Sequence, residues 1–345
     1  MYHDLPVLDV HGHVSVPQAA NTLLLFMMGS NTPAESPIGR PPAGPFAVGE
    51  DAFRAAAERH VAYLDERSID VQVIGPRPFL TMGWMEPHLI PAWAGYVNDM
   101  IHQQCTFFPG RVLGACQLPQ LSDAPDLSGC LPELNRCVTE YGFVAAYASP
   151  DPAGRRTTPG MHEPYWYPLY ERCQELAIPV IVHGTNSLDP RYRVVPHNYQ
   201  LGFLTEQYLA GQFLSHGDVF ERFPGLKVII CHCGGALDRF IPTDPHLAQQ
   251  DLSGNLFYDT CGYDIAFLEA AIKQKGVDRM CFGTEAPGSG RAVRPETGRT
   301  SDDLVPVIDS LGFLSADDKA KIFHRNPARV IPALAKAAAG PGGGR

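Results

Sequence analysis

The sequence predicts an α/β fold, a distorted (β/α)8 TIM barrel with a metal site at its C-terminal face. Three observations lead to this prediction: eight short apolar runs, longer amphipathic segments between them, and histidine or glutamate residues where several runs end. Several runs are continuously apolar, as expected for parallel strands that are buried on both faces. We predict strands at 6–10, 71–74, 112–117, 143–147, 178–183, 228–232, 256–259 and 280–283.

The segments between the predicted strands have the spacing of amphipathic helices. In residues 52–67, apolar side chains such as Phe53, Val61 and Leu64 recur at helical intervals. A doubly wound open sheet is the alternative fold, but no Gly-x-Gly-x-x-Gly turn follows an early strand. Further helices are predicted at about 91–107, 131–140, 165–176, 203–215, 264–275 and 302–311.

A single domain is predicted over residues 1–335, because α/β barrels reach this length as one unit. A long insertion rich in Pro and Gly is expected at about 14–50, after the first strand. Residues 286–301 form a second long connection after the last strand. The segment 336–345 has the composition of a disordered tail.

Composition and charge restrict the partners. With 45% apolar and 19% charged residues, the chain resembles ordinary globular proteins. A net charge of −10 disfavours nucleic acid or an acidic membrane as a partner, so an anionic substrate would have to meet local arginines. No apolar run approaches the roughly 18 residues of a membrane-spanning helix. The nine cysteines, an odd number, suggest reduced thiols in a cytoplasmic protein.

Four predicted strand ends carry side chains that bind metals. His11 and His13 are two residues apart, and residues i and i+2 of a strand point to the same side. His183 ends the fifth predicted strand, His232 the sixth, and Glu285 follows the eighth. Because all strand ends of a barrel surround one cavity, these side chains should converge.

Three histidines and one carboxylate suit Zn²⁺, with Mn²⁺ as the alternative. We therefore expect His11, His13, His183 and Glu285 as metal ligands, and His232 as a free group for proton transfer. Individually, each could be a hydrogen-bonded core histidine or an ordinary rim carboxylate, and the prediction depends on their joint occurrence. Cys231 and Cys233 should face away from the cavity if His232 faces it, which disfavours a cysteine metal site.

These strand ends resemble the amidohydrolase superfamily. The matching segments are His11-Gly12-His13, His183, His232-Cys233-Gly234-Gly235 and Phe282-Gly283-Thr284-Glu285. More narrowly, they resemble its branch of aminocarboxymuconate-semialdehyde decarboxylase-like proteins, which holds decarboxylases and some hydratases. Over roughly residues 5–333 the chain is most similar to the 4-oxalomesaconate hydratases, because Glu285 stands where the decarboxylases usually carry Asp.

The resemblance implies a metal-dependent lyase that adds water to the activated double bond of an unsaturated oxo-polycarboxylic acid. Glu285 would be both a metal ligand and a catalytic residue, together with His232. Arg77, Asn186 and Arg291 are the candidates for binding the substrate carboxylates. The family resemblance also implies a homodimer or a higher homo-oligomer.

Three other functions remain open at this point. The same metal site could serve a decarboxylase of a hydroxybenzoic or muconic-type acid, or a hydrolase. The third alternative is a barrel without catalytic activity that acts as a scaffold, but a scaffold would not need the full set of metal ligands. His197, Asn198, Arg155 and Arg156 are less specific candidates for contacts with an acid.

Overall fold

The computed structural model describes residues 1–17, 20, 21, 24, 27, 49–195, 200–239 and 251–340, so most of the predicted insertion at 14–50 lies outside the described residues. Eight parallel strands pair with their neighbours in sequence order. They are β1 Leu8–His13, β2 Val71–Gly75, β3 Val112–Gln117, β4 Ala145–Ala148, β5 Val180–Val182, β6 Val228–Ile230, β7 Leu256–Asp259 and β8 Met280–Cys281.

Two backbone hydrogen bonds connect the first strand to the chain that leaves the last. The Val10 N–H donates to the Phe282 carbonyl at 2.9 Å, and the Glu285 N–H donates to the His11 carbonyl at 2.8 Å. The sheet therefore closes on itself, and the predicted distorted (β/α)8 barrel is confirmed.

Helices cover the outside of the sheet. They are α1 Glu50–Glu66, α2 Ile90–Phe107, α3 Leu131–Thr139, α4 Tyr167–Glu175, α5 Leu201–His216, α6 Val219–Arg222, α7 Ile265–Lys275, α8 Leu304–Ser310, α9 Ala316–Ala320, α10 Asn326–Val330 and α11 Pro332–Ala338. A π-helical turn, Lys321–Arg325, joins α9 to α10. None of the helices in the described part of the chain has the length and apolarity that a membrane span requires.

The seven predicted helices are confirmed as α1–α5, α7 and α8, whereas α6 and α9–α11 were not predicted. Each of these four has at most seven residues, too few to show a helical period in the sequence. Helix α11 continues to Ala338, past residue 336 where a disordered tail was predicted to begin. The start of that tail was therefore placed too early, and residues 341–345 lie outside the described residues.

A β-bulge in β1 decides which side chains reach the barrel interior. Asp9 pairs with Gln72 and Gly12 with Ile74, so β1 contains one residue more than β2 between these pairs. Val10 packs inside the barrel. In the rest of β1, the extra residue exchanges the positions whose side chains point inward with those whose side chains point outward. His11 consequently points to the same interior as Val10, instead of to the outer helices.

Candidate metal centre and active site

Four of the predicted site residues converge at the C-terminal end of the barrel. His11, His13, His183 and Glu285 are buried, and one potential ligand atom of each lies within 4.8 Å of the others. Glu285 Oε1 is 3.3 Å from His13 Nε2 and 3.9 Å from His183 Nε2. The structure thus brings together the side chains of three strand ends that are far apart in the sequence.

The hydrogen bonds of the histidines determine which ring nitrogen can accept a metal. His11 Nδ1 lies 2.7 Å from Asp259 Oδ2, and His183 Nδ1 lies 2.7 Å from the Gly184 carbonyl. His13 Nδ1 lies 2.8 Å from the Pro76 carbonyl. Since these partners are acceptors, the proton is on Nδ1 and each Nε2 has a free lone pair, as in many metal-binding histidines.

Two of these Nε2 atoms have no hydrogen-bond partner. Those of His11 and His183 are buried and lack any donor or acceptor among the described residues. Buried ring nitrogens are normally paired, so this arrangement indicates a missing ligand at the point where they meet. The residues present therefore fit a divalent metal ion.

Glu285 is held in a strained backbone conformation with one oxygen aimed at the histidines. Its φ of 59° lies in the left-handed region, which is uncommon for residues other than glycine. Oε2 accepts hydrogen bonds from Ser289 Oγ at 2.7 Å and from the Tyr263 hydroxyl at 3.0 Å. These contacts leave Oε1 facing the metal-binding histidines.

Three residues of the cluster, Glu285, His13 and His183, have the protonation states that a metal requires. Burial opposes ionisation of Glu285, but hydrogen bonds and charge interactions with His13 and His232 hold its pKa well below the ordinary value. Burial lowers the pKa of His13 to about 4, and burial together with the neighbouring histidines lowers that of His183 well below normal. These three can bind a cation without first losing protons. Burial opposes the charged form of His11, but its interactions with Cys231 and Asp259 raise its pKa well above the ordinary value, so His11 would release a proton when a metal binds.

His232 lies beside the four-residue cluster. Its Nε2 is 3.7 Å from Glu285 Oε1, and its Nδ1 is 3.1 Å from the side-chain amide of Gln207. Strand β6 ends at Ile230, and His232 has a φ of 54°, so a left-handed turn aims it at the site.

The expectation that Cys231 faces outward is therefore wrong. The alternation argument assumed that His232 is part of the strand, whereas Cys231 is the residue that continues the inward-facing positions of β6. Its Sγ lies within 4.8 Å of ligand atoms of His11 and Asp259. Burial raises the pKa of Cys231 to about 12, which keeps it a neutral thiol. Cys233 packs in the outer core.

A cavity of about 550 Å³ opens onto the cluster, with His13 and Glu285 in its wall. Among its described lining residues the arginines are Arg59, Arg77 and Arg291, and the single carboxylate is Glu285. Positive charge thus collects at this one cavity of a chain whose net charge is −10. The volume and the charge suit a small anionic molecule.

The other predicted contact residues have different surroundings. Asn186 does not line the described part of this cavity, although both polar atoms of its side chain are buried and have no hydrogen-bond partner among the described residues. Arg156 forms ion pairs with Glu206 at 2.9 Å and Asp189 at 3.3 Å, which engages its guanidinium elsewhere. Residues 197 and 198 lie outside the described residues.

Several site residues were missed from the sequence. Asp259 could have been found, because it ends β7 in the same way that the ligands end other strands. Arg59 of α1, Gln207 of α5 and Tyr263 carry no signal in the local sequence. Tyr147 of β4 stacks on His183, with ring centroids 5.6 Å apart, and its buried hydroxyl lacks a partner among the described residues.

The fold and this cluster define a class of (β/α)8-barrel enzymes that carry a metal-binding group of histidines and a carboxylate at the barrel mouth. The amidohydrolase family model matches residues 8–333, and the chain belongs to this family.

The most informative relatives are hydratases. The 2-keto-4-carboxy-3-hexenedioate hydratase of Sphingobium sp. is 32% identical over 349 aligned residues, which cover 95% of this chain and 96% of that protein. The crystal structure of 4-oxalomesaconate hydratase from Rhodopseudomonas palustris has a TM-score of 0.76 at 29% identity, covering 98% of this chain and 99% of that one.

Decarboxylases are also similar to this chain, at lower sequence identity. The gamma-resorcylate decarboxylase of Polaromonas sp. is 27% identical over 67% of this chain and 76% of that protein. Hydratases and decarboxylases are therefore both similar to this chain.

Proposed function

We propose that this protein is a metal-dependent hydratase that adds water to the activated double bond of an unsaturated oxo-polycarboxylic acid, as in 4-oxalomesaconate. The observation that carries the proposal is the cavity lined by Arg59, Arg77 and Arg291, which opens onto Glu285 and His13. The sequence identity of 32% to a hydratase over 95% of the chain supports it, whereas the gamma-resorcylate decarboxylase is 27% identical over 67% of the chain.

The metal would be held by His11, His13, His183 and Glu285, whose potential ligand atoms are clustered. We propose Zn²⁺, with Mn²⁺ as the alternative, because histidine nitrogen and carboxylate oxygen suit both ions. When bound there, such an ion supplies Lewis acidity, which lowers the pKa of water or polarises a carbonyl.

The chain's own residues bind and orient the acid. Guanidinium groups pair bidentately with carboxylates, so Arg291 and Arg77 would hold those of the substrate. Arg77 is preoriented, because its Nε donates to the Val14 carbonyl at 3.0 Å. Asn186, whose polar side-chain atoms have no partner within the described part of the chain, is a candidate for a further contact.

Hydration adds a hydroxyl group to one alkene carbon and a proton to its neighbour. His232 would transfer a proton through Nε2, since Gln207 holds its other ring nitrogen at 3.1 Å. Glu285 Oε1 lies 3.7 Å from the same Nε2 and would share in the proton transfer.

The test is to incubate the metal-loaded protein with 4-oxalomesaconate and to follow both the conjugated absorbance and CO₂. We expect the absorbance to disappear without CO₂, and the product to be heavier than the substrate by one water. Stoichiometric release of CO₂ would contradict hydration. The same mixture without protein, measured alongside, reports the background rate.

A decarboxylase is the second candidate, supported by the family's gamma-resorcylate decarboxylases. The same protein preparation should therefore also be given 2,6-dihydroxybenzoate. CO₂ from this acid together with no reaction of 4-oxalomesaconate would favour the decarboxylase. Turnover of neither acid would favour a hydrolase or a binding protein.

A cytoplasmic location is also part of the proposal. All nine cysteines are free thiols, and all except Cys105 are buried, as in proteins of reducing compartments. A homodimer or higher homo-oligomer is proposed from the family resemblance alone, and light scattering of the purified protein would measure it.

A further inference from the structure

A buried set of polar side chains lies behind the metal-binding cluster, and the proposed chemistry does not use it. His60 of α1, Gln72 of β2 and Asp9 of β1 are each at most 1% exposed. They form a continuous chain of hydrogen bonds between the helices and the barrel. Buried polar groups are costly unless they are paired, so the pairing within this chain is informative.

The direction of each hydrogen bond can be assigned. The Ser15 N–H donates to Gln104 Oε1 at 2.8 Å, which leaves Gln104 Nε2 as the atom 2.9 Å from His60 Nδ1. An amide nitrogen only donates, so His60 Nδ1 accepts and the imidazole proton is on Nε2. His60 Nε2 then donates to Gln72 Oε1 at 2.8 Å.

Gln72 extends this chain of hydrogen bonds to β1 and the turn after β8, two of the three segments that carry metal-binding residues. Its Nε2 donates to Asp9 Oδ2 at 2.9 Å and to the Ala286 carbonyl at 2.7 Å. Asp9 in turn accepts from the His11 N–H at 2.9 Å and from the Thr284 hydroxyl at 2.6 Å. Thr284 and Ala286, the neighbours of Glu285 on either side, are thus both held by hydrogen bonds. The backbone of His11 is held in the same way.

This network also explains the glycine between the first two histidines. A Cβ atom on Gly12 would lie 2.2 Å from both Cδ and Oε1 of Gln72. The amide of Gln72 cannot easily move away, because it is fixed by three hydrogen bonds. The middle residue of His-Gly-His therefore has to be glycine to leave room for the network.

We propose that His60, Gln72 and Asp9 are positioning residues that hold β1 and the turn after β8 at the spacing the metal centre needs. Without them, the left-handed conformation of Glu285 would lose the anchors on both of its sides. The inference rests on the metal-binding role of the proposed function, and it is independent of which acid reacts.

The decisive variant is Gln72→Met, which preserves the side-chain length but removes all three hydrogen bonds. Gln72 does not line the described part of the cavity, so its loss should not act through substrate contacts. We expect a metal affinity about 10- to 100-fold weaker, as is usual when a partner of the ligands is lost. Chelator competition without substrate measures the affinity, and the visible spectrum of the Co²⁺-loaded protein reports the ligand geometry.

His60 provides the matched pair of variants. His60→Gln can still donate to Gln72 from its amide and should retain most of the wild-type affinity, whereas His60→Leu should resemble Gln72→Met. Because His60 also borders the cavity, kcat and KM are compared. Positioning predicts a lower kcat with little change in KM, whereas a rise in KM alone would indicate direct substrate contact and contradict the proposal.

A milder variant keeps the test decisive if Gln72→Met does not fold. Thr284→Val removes the hydroxyl that donates to Asp9 and accepts from the Ala286 N–H at 3.0 Å, and Thr284→Ser keeps both contacts. Weaker metal binding in the valine variant alone supports the network. Wild-type affinity and Co²⁺ spectrum in the folded Gln72→Met or Thr284→Val protein would overturn it. If the wild-type protein bound no divalent metal, the proposed function itself would fail.

Discussion

At the base of the barrel the buried side chains are apolar, whereas at the mouth they are mostly polar or charged. Helices α10 and α11 close the base, where Val330, Ile331 and Leu334 pack against interior side chains such as Leu8 and Phe257. At the mouth, buried histidines, carboxylates and amides fill the same cross-section. One closed sheet thus has two different interiors.

This difference indicates that the base of the barrel mainly contributes stability, whereas the mouth carries the function. Apolar burial at the base is non-directional and contributes roughly 25 cal/mol for each Å² removed from water. At the mouth, buried polar groups cost free energy unless they are paired. Among the described residues, the unpaired Nε2 atoms of His11 and His183 mark where a metal ion would bind. If this division is correct, substitutions at the two ends should affect different measurements.

The largest effect is expected from His11→Ala. Removal of one of the clustered nitrogens should abolish tight metal binding and reduce turnover to the background rate, since the remaining ligands leave the ion undercoordinated. Metal analysis after dialysis and a turnover assay check this. The matched control is His324→Ala, whose Nδ1 lies 3.0 Å from the Pro6 carbonyl near the base. Full metal content in the His11 variant would contradict the ligand assignment.

The next largest effect is expected from His232→Asn. Asparagine can keep the contact with Gln207 but has no group at the position of Nε2, 3.7 Å from Glu285. Turnover should fall about 10²- to 10⁴-fold, the usual contribution of a general acid or base, while the metal content stays normal. Steady-state kinetics and metal analysis on one preparation check both. Normal turnover would remove His232 from the mechanism.

At the base, Leu334→Ala should lower the free energy of unfolding by about 2–5 kcal/mol, because it leaves a cavity among fully buried side chains. The kcat of the folded fraction should not change, since the site is at the other end of the barrel. Urea denaturation and an assay well below the midpoint check this. Leu89→Ala, at a side chain that is 47% exposed, is the control and should change stability by less than about 0.5 kcal/mol. A loss of kcat in the folded Leu334→Ala variant would contradict the assignment of stability to the base and function to the mouth.

The smallest effect is expected from Arg291→Gln at the rim of the cavity. Loss of one charge-assisted hydrogen bond, about 1.5–3 kcal/mol, should raise KM roughly 10- to 100-fold while kcat stays within a few-fold. Arg299→Gln is the control in the same loop, because Arg299 pairs with Asp303 and does not line the described cavity. Equal effects of both substitutions would indicate a general loss of charge.

Much of the cluster was predictable because barrel topology itself makes strand ends converge. His11, His13, His183 and Glu285 were identified from their positions after apolar runs, and the structure brings them together. Asp259 obeys the same rule and was overlooked.

Other features depend on contacts that no local pattern shows. The bulge that turns His11 into the interior, together with Val10, arises from the register between β1 and β2. The inward position of Cys231 follows from a left-handed turn that begins one residue later. Arg59 reaches the cavity from helix α1. In the sequence it has the position of an ordinary solvent-exposed residue of an amphipathic segment.

By itself, the sequence determined the order of strands and helices and the chemical nature of the site, because apolar periodicity and the side chains at strand ends are local properties. Only the tertiary structure decided which atoms of those side chains meet. Ring nitrogens acquire their tautomers from partners far away in the chain, such as Asp259 for His11. The requirement for glycine at position 12 likewise comes from Gln72 on the neighbouring strand, which leaves no room for a Cβ atom. The space beside a backbone is a property of the packed fold.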